Sequence, residues 1–294
     1  MLRVHPASDT VSTMSDTGPL SDAGMEAMRA ILAHPEKTLV AADFDGTLAP
    51  IIDNPEEAFA DPAAVAALSR LGPLVGVVAV ITGRPAAKAV QLGGFESVPG
   101  LSSMVVLGQY GVERWDAATD EFRIPPEPRA MTQVGDELPE VLTDLGLTDA
   151  RVEHKGRAIG VHTRELGDAA GAFERLEEPL GELAARHGLL IEPGKNVLEI
   201  RAPGIDKGVA LRALVKERGI TQVVFAGDDL GDLPAFRAVQ QLRGDGIPGL
   251  LISSASHEED ALSELADVVV DGPGGVAVWL TRLAESLEGV DRQV

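Results

Sequence analysis

Three groups of polar residues in this 294-residue chain stand where apolar runs end, and their types suit phosphoryl transfer. Asp43 and Asp45 follow the run 39–42 and lead into Gly46-Thr47; Thr82 and Arg84 follow 75–81; Asp228, Asp229 and Asp232 follow 222–226. Two carboxylates at i and i+2 on a turn can serve as nucleophile and acid/base. The acids after residue 227 add oxygen ligands for a hard cation such as Mg²⁺. Lys207 opens a helix that feeds the strand before Asp228, so its ammonium can stand beside the same site, where the helix's amino end adds positive potential. Such charges are needed. A carboxylate approaching a phosphate dianion meets roughly 4 kcal/mol of repulsion per charge pair at ~4 Å and an effective dielectric of about 20. Thr82 can hydrogen-bond a phosphoryl oxygen as charge moves. Taken singly, a DxD is a solvated turn, Thr-Gly-Arg a loop and a helix-start Lys a surface charge. Their ordered recurrence after strand-like runs weighs for one shared site.

The elements that must position these residues read as alternating strands and helices. Helices over 22–32, 61–71 and 207–218 separate apolar runs at 39–42, 75–81, 222–226, 250–252 and 268–270, the rhythm of a parallel α/β sheet. Ligands bind such sheets at the carboxyl ends of the strands. Between residues 113 and 202 the texture changes. Short alternating strands come in pairs, 151–155 with 158–164 and 189–192 with 197–201, each pair joined by a turn signal, and helices fill 131–145 and 168–187. The predicted organisation is a disordered tail at 1–21, a catalytic core from 22–112 and 203–294, and an inserted, smaller α+β cap domain at 113–202.

Composition narrows the partners. With 46 acidic and 25 basic side chains the net charge is −21, which repels nucleic acid and anionic membranes. Cysteine is absent, so neither a thiolate metal site nor a cysteine nucleophile is available. The first twenty-odd residues lack the apolar stretch of a signal peptide, and the longest apolar run is too short to span a bilayer. The expectation is a cytoplasmic enzyme. Against the acidic background, residues 151–164 form a cationic island: Arg151, Lys155, Arg157 and Arg164, with His154 and His162, against Glu153 alone. An anionic substrate needs such an island, although charge runs are more often solvated faces. Alternation puts Glu153 and Lys155 on one face of their strand.

The segments Asp43-Phe44-Asp45-Gly46-Thr47-Leu48, Thr82-Gly83-Arg84, Lys207 and Gly227-Asp228-Asp229 resemble the four ordered motifs of the haloacid dehalogenase superfamily. The resemblance implies a Rossmann-like core, a Mg²⁺ ion and an aspartyl-phosphate intermediate. By motif, Asp43 is the nucleophile and Asp45 the general acid that then activates water. Thr82 and Lys207 bind phosphate; Asp43, the Asp45 carbonyl and Asp228 hold the metal, with Asp229 and Asp232 behind them. Asp45 must carry a proton for the first step, so its surroundings are expected to favour the acid form.

Within that superfamily the chain is similar to the trehalose-6-phosphate phosphatase family. The similarity rests on Glu153-His154-Lys155, His162-Thr163-Arg164, Gly194-Lys195-Asn196-Val197-Leu198-Glu199-Ile200-Arg201 and Lys207-Gly208, in that order. It implies that Glu153, His154, Lys155, Arg164, Lys195 and Glu199, with Arg84 in the core, contact a sugar phosphate. Two departures stand out: Gly231 and Leu233 replace the family's Thr and Glu after Asp228, and Gly108-Gln109-Tyr110-Gly111 replaces Gly-x-His-Gly. The alternatives are a phosphatase of sucrose phosphate or mannosyl-phosphoglycerate, or a non-catalytic regulatory partner of a synthase.

Overall fold

The structure, a computed structural model, describes residues 20–155, 157–194, 196–203, 206–255 and 260–291. Nearly all of the tail expected at 1–21 therefore lies outside the described residues. In chain order the elements are α1 Asp22–Ala33, β1 Thr38–Ala42, α2 Pro62–Leu71, β2 Val77–Ile81, α3 Ala86–Gly93, β3 Val105–Gly108, β4 Glu113–Asp116 and β5 Glu121–Arg123. Next come α4 Arg129–Asp144, β6 Arg151–His154, β7 Ala158–His162, α5 Ala169–Arg186, β8 Leu190–Gly194 and β9 Val197–Arg201. The chain ends with α6 Lys207–Arg218, β10 Gln222–Gly227, α7 Leu233–Gly244, β11 Gly249–Ala255, α8 Asp260–Ser263, β12 Val268–Asp271 and α9 Gly272–Asp291.

Two compact units result: Met1–Ile124 with Asp206–Val294, and Pro125–Ile205. The first carries an eight-stranded sheet in the order β12-β11-β10-β1-β2-β3-β4-β5. The strands from β12 to β3 are parallel, and β4 and β5 extend the sheet antiparallel. Here the structure corrects the sequence reading: residues 113–124 belong to the core sheet, and the insertion starts at 125 rather than 113. An antiparallel edge hairpin has the same alternation as a cap strand, and only its pairing with β3 separates the two.

Helices cover both faces of the core sheet, which is why β1, β2 and β10 are buried at every position and read as unbroken apolar runs. Within β1, Val40 and Ala42 pack with α1, α2, α3 and α9, while Leu39 and Ala41 pack with α6 and α7. Local signals set the helix starts. Asp61 caps α2 ahead of Pro62, Asp206 caps α6, and Ser21 caps α1 through the Gly24 amide. The second unit is a four-stranded antiparallel sheet, β6-β7-β9-β8, with α4 and α5 on one face. Among the described residues no helix is long and apolar enough to cross a membrane.

Candidate active site

The parallel strands β1, β2 and β10 all end at the same edge of the sheet, and each delivers its polar group there. The Asp43 amide donates to the Ala226 carbonyl at 2.9 Å, so the chain stays in register one residue past β1 before it turns. The turn needs Gly46: its φ is +75°, and a Cβ there would stand 1.9 Å from Asp228 Oδ2. Ser254, at the same end of β11, donates from Oγ to the Gly46 carbonyl at 2.7 Å, and Thr47 Oγ1 donates to Asp228 Oδ1 at 3.2 Å. The Asp43 turn and Asp228 are thus locked together from both sides. Neither Ser254 nor this use of Thr47 is legible from motif spacing.

Lys207 lies between two acids. Its Nζ is 2.8 Å from Asp43 Oδ1 and 2.8 Å from Asp232 Oδ1. Asp232 is fully buried, and its Oδ2 accepts the Asp228 amide at 3.0 Å and the Asp229 amide at 3.5 Å. Its work is to clamp the loop and fix the lysine. Gly231 and Leu233 leave this clamp intact, because it uses the Asp232 side chain and backbone amides; Asp229 also caps the turn through the Gly231 amide. Asp43, Asp228, Asp229 and Asp232 each offer an oxygen within 4.8 Å of the others, a hard-donor set that fits a divalent cation.

Electrostatics agree with that fit. Burial raises Asp43 well above the ordinary carboxylate range; Lys207 opposes the shift, while Asp232, Asp228 and Asp229 reinforce it. Asp228 is pushed up to about 8, by burial first and then by Asp232 and Asp229. Burial works against the Lys207 ammonium, but Asp232 and Asp43 outweigh it and hold its pKa well above the usual lysine value. One lysine does not neutralise four acids, so a cation or protons must complete the balance.

Asp45 is held by Arg84. Both its oxygens accept from Arg84, Nε to Oδ2 and Nη2 to Oδ1, each at 2.6 Å. The two-pronged contact fixes the orientation of the carboxyl group. Arg84 is correspondingly engaged: Nη1 donates to the Pro55 carbonyl at 2.9 Å, and the guanidinium lies 5.7 Å from the Phe44 ring centre. Thr82 is buried at the end of β2, its Oγ1 accepting the Arg84 amide at 3.1 Å. A further contact invisible in the sequence is Glu113, whose Oε2 accepts the Ala86 amide at 2.7 Å and so caps α3 directly after this loop.

On the second unit, β6, β7, β9 and β8 align Glu153, Gly160, Glu199 and Glu192 in one row across the sheet. This row lies on the face that α4 and α5 leave open. Lys155 Nζ is 2.7 Å from Glu199 Oε2 and 4.0 Å from Glu153 Oε2, and His162 Nε2 is 2.9 Å from Glu153 Oε2. The hydrogen bond from His162 pulls Glu153 down to about 2, with Lys155 adding to it. His162, part of the cationic island but not among the expected sugar-phosphate contacts, therefore joins this cluster. His154 does not: it points to the helix side, where a Cβ on Gly135 of α4 would lie 3.4 Å from its Cε1. Arg164 is exposed beyond the end of β7, and Lys195 lies outside the described residues.

The sheet order, with the acids and Lys207 at its carboxyl edge, defines the fold of the haloacid dehalogenase-like proteins. A haloacid dehalogenase-like hydrolase from Bacteroides thetaiotaomicron superposes with a TM-score of 0.57 at 17% identity, over 87% of this chain and 99% of that one. The chain belongs to the trehalose-phosphatase family, whose profile matches residues 41–268. It is 31% identical over 271 residues to the trehalose-phosphate phosphatase of Mycobacterium leprae (strain TN), covering 85% of this chain and 58% of that protein. The chain spans about three fifths of the curated relatives it matches. The C-terminal domain of Candida albicans trehalose-6-phosphate phosphatase shares the fold, with a TM-score of 0.71 at 19% identity, over 91% of this chain and 98% of that one.

Proposed function

We propose that this chain is a Mg²⁺-dependent phosphatase that hydrolyses trehalose 6-phosphate to trehalose and phosphate through a phosphorylated Asp43. The observation that carries the reading is the buried Asp43 carboxylate, 2.8 Å from Lys207 and grouped with Asp228, in a chain of the trehalose-phosphatase family. Asp43 Oδ attacks phosphorus as the bond to the sugar oxygen breaks, and Asp45 gives that oxygen its proton. Water then attacks the aspartyl phosphate, Asp45 takes the water's proton, and Asp43 is regenerated as orthophosphate leaves. Lys207 and Thr82 hold the phosphoryl oxygens. A divalent cation held by Asp43, Asp228 and the Asp45 carbonyl would supply the remaining positive charge. Asp232 and Asp229 position these groups.

On the second unit, the open face with Glu153, Lys155 and Glu199 supports recognition of a sugar rich in hydroxyls through charged hydrogen bonds. His162 is added to that set by its bond to Glu153, Arg164 and Lys195 by motif; His154 is left out. The net charge of −21 supports a small-molecule substrate rather than nucleic acid or membrane, and a cysteine-free chain is compatible with the cytoplasm. Association with a synthase is not needed for the chemistry.

The test is phosphate release from trehalose 6-phosphate, with and without Mg²⁺, beside sucrose 6-phosphate and glucose 6-phosphate. Equal or faster turnover of another sugar phosphate overturns the substrate. Undiminished release by Asp43→Asn overturns the nucleophile.

A further inference from the structure

The turn after β3 carries more strain than a connection requires. Gln109 and Tyr110 are consecutive non-glycine residues in the left-handed region, with φ of +49° and +60°, and Gly111 follows at +104°. In that region a Cβ crowds the following carbonyl oxygen, so each non-glycine residue there is strained. The Gln109 side chain adds a second cost: the residue is 2% exposed, and its Nε2 has no hydrogen-bond partner among the described residues. Asn or Gly at these two positions would remove most of the strain. Strain of this kind persists where the surroundings over-determine the backbone.

The surroundings are the phosphate-binding groups themselves. The Tyr110 amide donates to the Thr82 carbonyl at 2.9 Å, and the Gln109 amide to the Arg84 carbonyl at 2.9 Å. The end of the Tyr110 ring lies over Gly83: a Cβ there would be 3.0 Å from both Cζ and Oη. On the other side Gly111 meets Ala210, one turn into α6 from Lys207, so closely that a Cβ on Gly111 would be 2.5 Å from the alanine's. The turn is therefore wedged between the loop that carries Thr82 and Arg84 and the helix that presents Lys207.

We propose that the Gln109–Tyr110 turn is a positioning wedge, which holds Thr82 and Arg84 at the distance from Lys207 that phosphoryl transfer requires. The inference rests on the phosphatase reading but not on the identity of the sugar. It assigns the strain a use: relaxing the turn would let the loop after β2 and the start of α6 settle apart.

The experiment compares Tyr110→Gly, which relaxes φ and removes the ring, with Tyr110→Phe, which keeps the backbone and the ring. Melting temperature, kcat and KM are measured on whichever phosphomonoester the unmodified chain turns over best, so a wrong sugar assignment leaves the comparison intact. Absence of any phosphatase activity in the unmodified chain would sink the earlier reading instead. The expected result is a melting temperature unchanged or raised by a few degrees in Tyr110→Gly, with kcat down about tenfold or more and KM changed less. Tyr110→Phe keeps kcat within about twofold. Full kcat in a folded Tyr110→Gly overturns the wedge, as does an equal loss in Tyr110→Phe, which would assign the effect to the hydroxyl. Should Tyr110→Gly not fold, Gln109→Gly and Gln109→Met, which keeps the side chain's length and the strained φ, make the same comparison: a lower kcat in the first that the second restores supports the wedge, and full kcat in both overturns it.

Discussion

Arg84 grips Asp45 by both carboxylate oxygens while its third nitrogen holds the Pro55 carbonyl, so the acid is fixed to the loop after β2. An Asp45 that delivers a proton to a leaving oxygen has to give up at least one of these bonds. In the proposed reaction Arg84 would therefore govern when and from where the proton arrives. Arg84→Lys, which cannot form the two-pronged pair, is expected to lower kcat for an alkyl phosphate about tenfold to hundredfold. An aryl phosphate whose leaving oxygen needs no proton should lose far less. Steady-state kinetics on the two ester types checks this, and equal losses on both would refute it.

Asp43→Asn should separate activity from stability. Burial and three neighbouring acids disfavour the Asp43 anion in the absence of a cation, and Lys207 opposes them. An uncharged, nearly isosteric side chain relieves that conflict, so turnover should vanish while the cation-free chain melts a few degrees higher. Calorimetry in EDTA beside a phosphate-release assay reads both. A lower melting temperature would mean that the Lys207 pair outweighs the repulsion.

Gly46→Ala should damage the centre without touching any charge. The new Cβ would fall 1.9 Å from Asp228 Oδ2 at a φ of +75°. Either the turn or Asp228 has to move, so Mg²⁺ affinity should fall at least tenfold along with kcat. Tight Mg²⁺ binding by a folded Gly46→Ala chain, measured by titration calorimetry, would show that Asp228 has room to adapt.

The raised Asp228 carboxyl fixes a pH dependence and its sign. The group binds its proton more tightly in the folded chain, with a pKa of about 8, than in the unfolded chain, whose value is the ordinary 3.8. Its contribution to the stability of the cation-free chain is therefore full at acid pH and is lost as pH rises from about 4 to about 8. A cation that displaces this proton should bind more tightly across the same window and level off above it. Titrations at pH 6.5 in buffers of different ionisation heat are expected to show about one proton released per Mg²⁺. No proton release would contradict the shift.

Much of this was readable in the chain, for a physical reason. Strands covered on both faces become apolar runs, and the polar residue that ends each run marks the sheet edge where ligands bind. Hence Asp43, Thr82 and Asp228 could be placed together, and Lys207 followed from the helix that Asp206 begins. Contacts distant in sequence left no local signal. Ser254 reaches Gly46 across 208 residues, and Glu113 caps a helix 27 residues earlier. The hairpin at 113–123 alternates like the inserted strands, so its membership of the core sheet was hidden. His154 teaches the opposite lesson: alternation already set it on the other face from Glu153 and Lys155, and motif resemblance alone had grouped the three.

The lone lysine among four clustered acids has a consequence for the order of events. Above about pH 8, where Asp228 gives up its proton, the acids would repel a dianionic ester, and Lys207 is already committed to Asp43 and Asp232. A phosphate ester arriving first finds a hostile field; one arriving after the cation finds an attractive one. Association should therefore be ordered, cation before ester, and excess phosphate ester should slow release of the cation rather than compete with it.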